Sequence, residues 1–158
     1  MRRNFLPIVF LGGYLICSSM EAALAREDGV KIFNSLEEAV QRPARPLLLV
    51  FFSLECHLCW DELFEMRYFL EKNAIPVDLV GVSHEPEEEL LQFLSKHAFS
   101  YPVVCDRGKT LYRRFKVRLE PFRVILNQGS ILYLDDSSQD FFARRDKVKQ
   151  CLIEIGSQ

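Results

Sequence analysis

The chain predicts an α/β protein, a central mixed β-sheet flanked by helices. Three observations carry that expectation. Two apolar runs of strand length, "LLLVFF" (Leu47–Phe52) and "PVDLVGVS" (Pro76–Ser83), suit strands covered on both faces. Helix-periodic segments alternate with such runs along most of the chain. The last two strands close on a glycine turn, as a hairpin does.

Length and composition bound the rest. With 158 residues, 49% apolar and 12% aromatic, the chain suits one domain with a sizeable core. Its net charge of −2 lacks the basic footprint of a nucleic-acid binder, so no nucleic-acid partner is expected.

The first 25 residues differ in kind. Arg2 and Arg3 precede an apolar run, "FLPIVFLGGYLIC", and "EAALA" then offers Ala23-x-Ala25 as a cleavage site. The run is short and glycine-broken for a span of about 20 residues. It reads as a secretory signal cut near Ala25; a retained amino-terminal membrane anchor is the alternative. Tyr14-Leu15-Ile16 ahead of Cys17 lacks the small residues of a lipid-attachment site. Cleavage removes two arginines and one glutamate, so the net charge moves from −2 to −3. Four cysteines remain, Cys56, Cys59, Cys105 and Cys151, and an exported protein meets an oxidising compartment.

The elements follow in order. "GVKIF" (Gly29–Phe33) reads as a short strand. Asn34 or Ser35 caps a helix over "SLEEAVQR", with Glu38 as capping-box partner. "RPARP" ends that helix, because proline biases its predecessor to extended geometry. After the "LLLVFF" strand, Leu63, Phe64, Met66, Phe69 and Leu70 mark a helix of about 15 residues. Beyond the "PVDLVGVS" strand, Pro86 and three glutamates start another helix, suited to its positive end. "YPVVCD" is a short strand and "GKTLYRRF" a short helix. "FRVILNQGSILYLD" gives two strands around Asn127-Gln128-Gly129. A last helix from about Ser138 carries Phe141, Val148, Cys151, Leu152 and Ile155 on one side, with "ARRDKVK" (Ala143–Lys149) as its solvated face.

Chemistry in such sheets gathers beyond the carboxyl ends of the strands. Cys56 lies just past one such end, in "LLLVFFSLECHLCWDELFEM". A c-type haem tether needs histidine after the second cysteine, where Trp60 stands. Structural zinc needs two such pairs, or a pair plus two suitably spaced histidines; Cys105 and Cys151 are solitary, and His84 and His97 lie far apart in sequence. No metal site and no cofactor are expected. A disulfide closing a two-residue loop (His57, Leu58) removes little chain entropy, so it makes a poor staple. Redox work fits better. At a helix start, free amides and the dipole lower the Cys56 thiol pKa, and Cys59 one turn later is placed to resolve a mixed disulfide.

On these residues the chain resembles the exported thioredoxin-like proteins of the TlpA/ResA type, which are relatives of the AhpC/TSA proteins. The likeness spans nearly all the mature sequence. It rests on the cysteine segment, "VDLVGVSHEPEEELLQFLSKHAFSYPVV", "DRGKTLYRRFKVRLEPFRVILNQGSILY" and the closing helix. With the signal peptide read at 1–25, the resemblance implies a thioredoxin-like domain at 26–158, with the family's extra helix and strand between His84 and Phe115. It implies that Pro121 is a cis-proline facing Cys56, whose neighbouring backbone pairs with a substrate peptide. It places Glu62 where the family keeps an acid that accepts or relays the Cys59 proton; an ordinary solvated helix acid is the alternative. His57, Leu58, Glu120 and Pro121 become the substrate-binding set. The implied activity is periplasmic or otherwise exported thiol–disulfide exchange, more in the reducing direction. Its partners are exported protein thiols and disulfides, apocytochrome or metalloprotein cysteines among them, with a membrane thiol reductase as electron donor.

Departures from the family pattern bear on the redox balance. No proline separates the cysteines, Glu55 stands where tryptophan is usual, Trp60 follows the pair, and Glu120 precedes Pro121 in place of a small residue. Protonated His57 stabilises a Cys56 thiolate, whereas Glu55 and Glu120 oppose it. Two other functions stay open. A thiol peroxidase wants Pro-x-x-x-Thr-x-x-Cys, and Leu49 and Ser53 hold those places. A metal-delivery module would bind copper(I) through the two thiolates. Cys105 reads as a small buried side chain or a third redox thiol, Cys151 as core, and His84 and His97 as structural or surface residues.

Overall fold

The computed structural model describes residues 31–40, 42, 44–97, 99 and 101–157. The leader, with Cys17, Ala23 and Ala25, and the start of the "GVKIF" strand lie outside the described residues.

Six strands form one sheet: β1 (Ile32–Phe33), β2 (Leu47–Phe51), β3 (Asp78–Ser83), β4 (Val103–Cys105), β5 (Phe122–Asn127) and β6 (Ser130–Leu134). Their spatial order is β1-β4-β3-β2-β5-β6. The first four pair in parallel, and β5 runs antiparallel to both β2 and β6. This is the mixed sheet that the pattern predicts. Helices α1 (Leu36–Ala39), α2 (His57–Lys72), α3 (Glu87–Lys96), α4 (Thr110–Arg114) and α5 (Phe141–Gly156) cover it.

The two-residue period of β2 divides the core. Leu48, Val50 and Phe52 pack with Leu63 and Met66 of α2, Leu90 and Leu94 of α3, and Val148 and Leu152 of α5. Leu47, Leu49 and Phe51 face the other way, onto α1 and onto Tyr112 of α4 and Phe115 at its end. Each such side chain, fully buried, contributes about 1.5–3 kcal/mol, which is why a strand apolar on both faces belongs at the sheet centre.

Local chemistry sets most boundaries. The Ser35 hydroxyl accepts from the Glu38 amide, and Glu38 reaches back to the Asn34 amide, both at 3.2 Å. α1 is nevertheless shorter than expected. The chain turns extended at Val40, and Arg42 then pairs with Asp78 at the head of β3, at 2.7 Å. The β5–β6 turn holds Gln128 at φ 49° and Gly129 at φ 82°, with Asn127 opposite Ser130. That is the tight hairpin loop that glycine favours. α5 starts at Phe141 instead of near Ser138. Asp136 accepts from the Ser138 amide at 2.9 Å and holds a turn there, and Asp140 caps the helix through the Phe142 and Ala143 amides.

Candidate active site

The site forms where two strand ends meet. Phe51, last in β2, lies opposite Phe122, first in β5. The loop after β2 and the loop before β5 therefore emerge at one end of the sheet, the first carrying Cys56 and the second Pro121.

Cys56 is the N-cap of α2, and it is bonded to Cys59 as a disulfide with the Cα atoms 5.3 Å apart. The Cys59 amide donates to the Cys56 sulfur at 3.2 Å. That amide, which also donates to the Cys56 carbonyl at 3.0 Å, is a first-turn helix donor of the kind that stabilises a thiolate once the bond is reduced. The two sulfurs differ in access. Cys56 is half-buried beside exposed His57 and Leu58, whereas Cys59 is wholly buried. Of the pair, only Cys56 keeps surface open to solvent.

The preceding loop has a partner that the sequence reading missed. Glu85, just past β3, accepts the Leu54 amide at 3.0 Å. Its place beyond the carboxyl end of a strand was the available signal. On the α3 side, His57 packs on Trp60 with ring centroids 5.0 Å apart, and Trp60 on Phe93 and His97 at 4.5 and 5.4 Å. Trp60, Phe93 and His97 help line a cleft of about 340 Å³.

The Glu120–Pro121 peptide is cis, and Pro121 is buried. Glu120 is not freely solvated: the buried Tyr112 hydroxyl donates to its carboxylate. Burial, then that hydrogen bond, holds the Tyr112 pKa well above the ordinary phenol value.

Glu62 overturns the solvated alternative, because it is 0% exposed. Arg123 donates to one carboxylate oxygen at 2.8 Å, and Arg145 reaches the other at 2.7 Å. Arg123, itself fully buried, also donates through Nε to Asp135 at 2.9 Å. Asp135 accepts from Arg144 at 2.8 Å and from the Tyr133 hydroxyl at 2.7 Å. Arg144 in turn donates to the Pro121 carbonyl at 3.0 Å. The expectation that Ala143–Lys149 is a solvated face is therefore wrong in part. Arg144 is buried, Arg145 packs its guanidinium 4.4 Å from the Phe141 ring, and Lys149 meets Glu65 at 2.5 Å. Spacing on α5 could not show this, since the buried acids lie on α2 and after β6.

Cys105 is buried and Cys151 half-buried, both as free thiols. Desolvation raises both their pKa values, the opposite of activation. Among the described residues no three His, Cys, Asp or Glu side chains are grouped to hold a metal.

Comparison with known proteins agrees with this geometry. The AhpC/TSA family model matches residues 22–138. A relative, the thiol-disulfide oxidoreductase ResA of Halalkalibacterium halodurans, is 25% identical over 140 residues, covering 81% of this chain and 80% of its own. Among solved structures, a secreted Mycobacterium tuberculosis disulfide oxidoreductase homologous to E. coli DsbE superposes with a TM-score of 0.52 at 18% identity, covering 70% of this chain and 82% of its own. Peroxidoxin BcpB of Mycobacterium tuberculosis gives 0.57 at 23%, covering 70% and 79%. A helix-capping cysteine pair, a cis-proline at the neighbouring strand end and a matched family model lead to one conclusion: the chain belongs to the AhpC/TSA family, as a thioredoxin-like protein of the thiol–disulfide oxidoreductase kind.

Proposed function

We propose that the protein exchanges thiols and disulfides with exported proteins, working as a reductant. The observation that carries this reading is the asymmetry of the pair: a reachable sulfur at a helix N-terminus and a sealed one a turn behind it. In the reduced enzyme the Cys56 thiolate attacks a substrate disulfide. A Cys56–substrate bond forms, and one substrate sulfur leaves as a thiolate that takes its proton from water. Cys59 then gives up its proton and attacks the Cys56 sulfur. The Cys56–Cys59 bond forms, the second substrate sulfur leaves, and two electrons have passed to the substrate. Glu62, one helical turn beyond Cys59 and equally buried, is assigned the Cys59 proton. His57 and Leu58 border the attacking sulfur, and the backbone beside Glu120 and Pro121 receives the substrate chain.

The reducing direction and the export rest on likeness to the TlpA/ResA type and on a leader at 1–25 cleaved near Ala25, ahead of a domain at 26–158. A membrane thiol reductase is the fitting electron donor. A Cys56–Cys59 potential close to about −120 mV, the oxidising end of the known range, would reverse the direction.

The test is trapping. Cys59→Ala leaves the mixed disulfide unresolved, so exported proteins accumulate on Cys56 and are identified by mass spectrometry after non-reducing capture. No partner on Cys56, where Cys56→Ser serves as blank, would overturn the reading. Rapid oxidation of Cys56 by hydrogen peroxide in stopped flow, with no trapped protein, would favour a thiol peroxidase instead.

A further inference from the structure

The buried charges form a chain that starts on the redox helix and ends on the substrate loop. Glu62 lies on α2, Arg123 on β5, Asp135 just past β6, and Arg144 on α5. All four are at most 4% exposed. The last link is one atom: Nη1 of Arg144 donates both to Asp135 at 2.8 Å and to the carbonyl of Pro121 at 3.0 Å. A buried carbonyl needs a donor. Here the donor is a side chain whose other contact is the ion chain behind Cys59.

We propose that Arg144 is a positioning residue for polypeptide substrates: it fixes the Pro121 backbone at the height where an extended chain flanking a disulfide docks, and ties that backbone to the Cys56–Cys59 helix. The proposal rests on the exchange reaction proposed above. It adds that disulfides within polypeptides depend on Arg144 and small disulfides do not, because only a polypeptide lies along the loop while both react at Cys56.

The network makes the test clean. Arg144→Met leaves Asp135 with the Arg123 Nε, the Arg123 amide and the Tyr133 hydroxyl, so no buried charge is orphaned. Reduced wild type, Arg144→Met and Arg144→Lys are each given insulin, with dithiothreitol as reductant, and separately 5,5′-dithiobis(2-nitrobenzoate). In Arg144→Met the insulin KM rises about five- to tenfold with kcat held, the size of one ordinary hydrogen bond's net worth, while the small disulfide reacts at the wild-type rate. Arg144→Lys, which keeps a cation beside Asp135, recovers part of the insulin affinity. Parallel loss on both disulfides in both variants would mean a merely structural residue and overturn the proposal, as would an unchanged insulin KM. A wild-type protein inert to both disulfides would remove the exchange reading itself, and this proposal with it.

Discussion

Cys56 and Cys59 share a disulfide but not an environment, and what lies behind Cys59 distinguishes this site. Glu62 is held by Arg123 from β5 and Arg145 from α5, and Arg123 is shared with Asp135. Removing Arg123 takes one charge-assisted hydrogen bond from each of two buried carboxylates, at a cost of about 1.5–3 kcal/mol apiece. Arg123→Met is therefore expected to lower unfolding free energy by about 3 kcal/mol in urea denaturation, towards the low end because Glu62 keeps Arg145 and Asp135 keeps Arg144. A loss under about 1 kcal/mol would show that the pair is dispensable. At this scale the sequence was legible where the chemistry is local: the cysteine pair and its place at a strand end could be read directly, and the cis bond at Pro121 followed from family resemblance. Arg123 was not legible. It sits in a strand that is apolar at Phe122 and from Val124 to Leu126, and finds its acids 61 residues upstream and 12 downstream.

At the scale of elements, β2 and β3 bring the site together by lying close. Gly81 of β3 leaves room for Phe52: a Cβ there would come 3.0 Å from the Phe52 ring and 3.3 Å from Val103. Gly81→Ala is expected to destabilise by about 1–3 kcal/mol and to disturb the loop that carries Cys56. Calorimetry reads the first effect, and the rate of Cys56–Cys59 reduction by dithiothreitol reads the second; a variant with wild-type values in both would contradict the packing account. Caps and turns were read well, since Ser35, Glu38 and the Gln128-Gly129 loop act over a few residues. The stop of α1 and the start of α5 were not, because Arg42 and Asp136 set them through contacts that helix periodicity does not encode.

For the molecule as a whole, burial raises the pKa of several acids that are neutral at pH 7. Tyr101, Tyr112 and Tyr133 are all pushed above the ordinary phenol range, mainly by desolvation, and the Cys105 and Cys151 thiols above the ordinary thiol value. For such groups the folded chain keeps its proton where the unfolded chain has lost it. Stability is thus whole below the unfolded values, about 8.5 for thiols and about 10 for phenols, and falls as pH climbs through them. Thermal unfolding from pH 7 to 11 is expected to show Tm falling from about pH 8.5 and faster beyond pH 10; a flat or rising Tm would contradict the burial of these groups. The same contrast separates the cysteines, since two thiols are held neutral while Cys56 faces a helix amide.

Timed alkylation tests that contrast most directly. The reduced protein is treated with iodoacetamide at pH 7, and each cysteine peptide is followed by mass spectrometry. The account predicts label on Cys56 at least about tenfold ahead of Cys59, Cys105 and Cys151. Label arriving on Cys105 or Cys151 as fast as on Cys56 would contradict it.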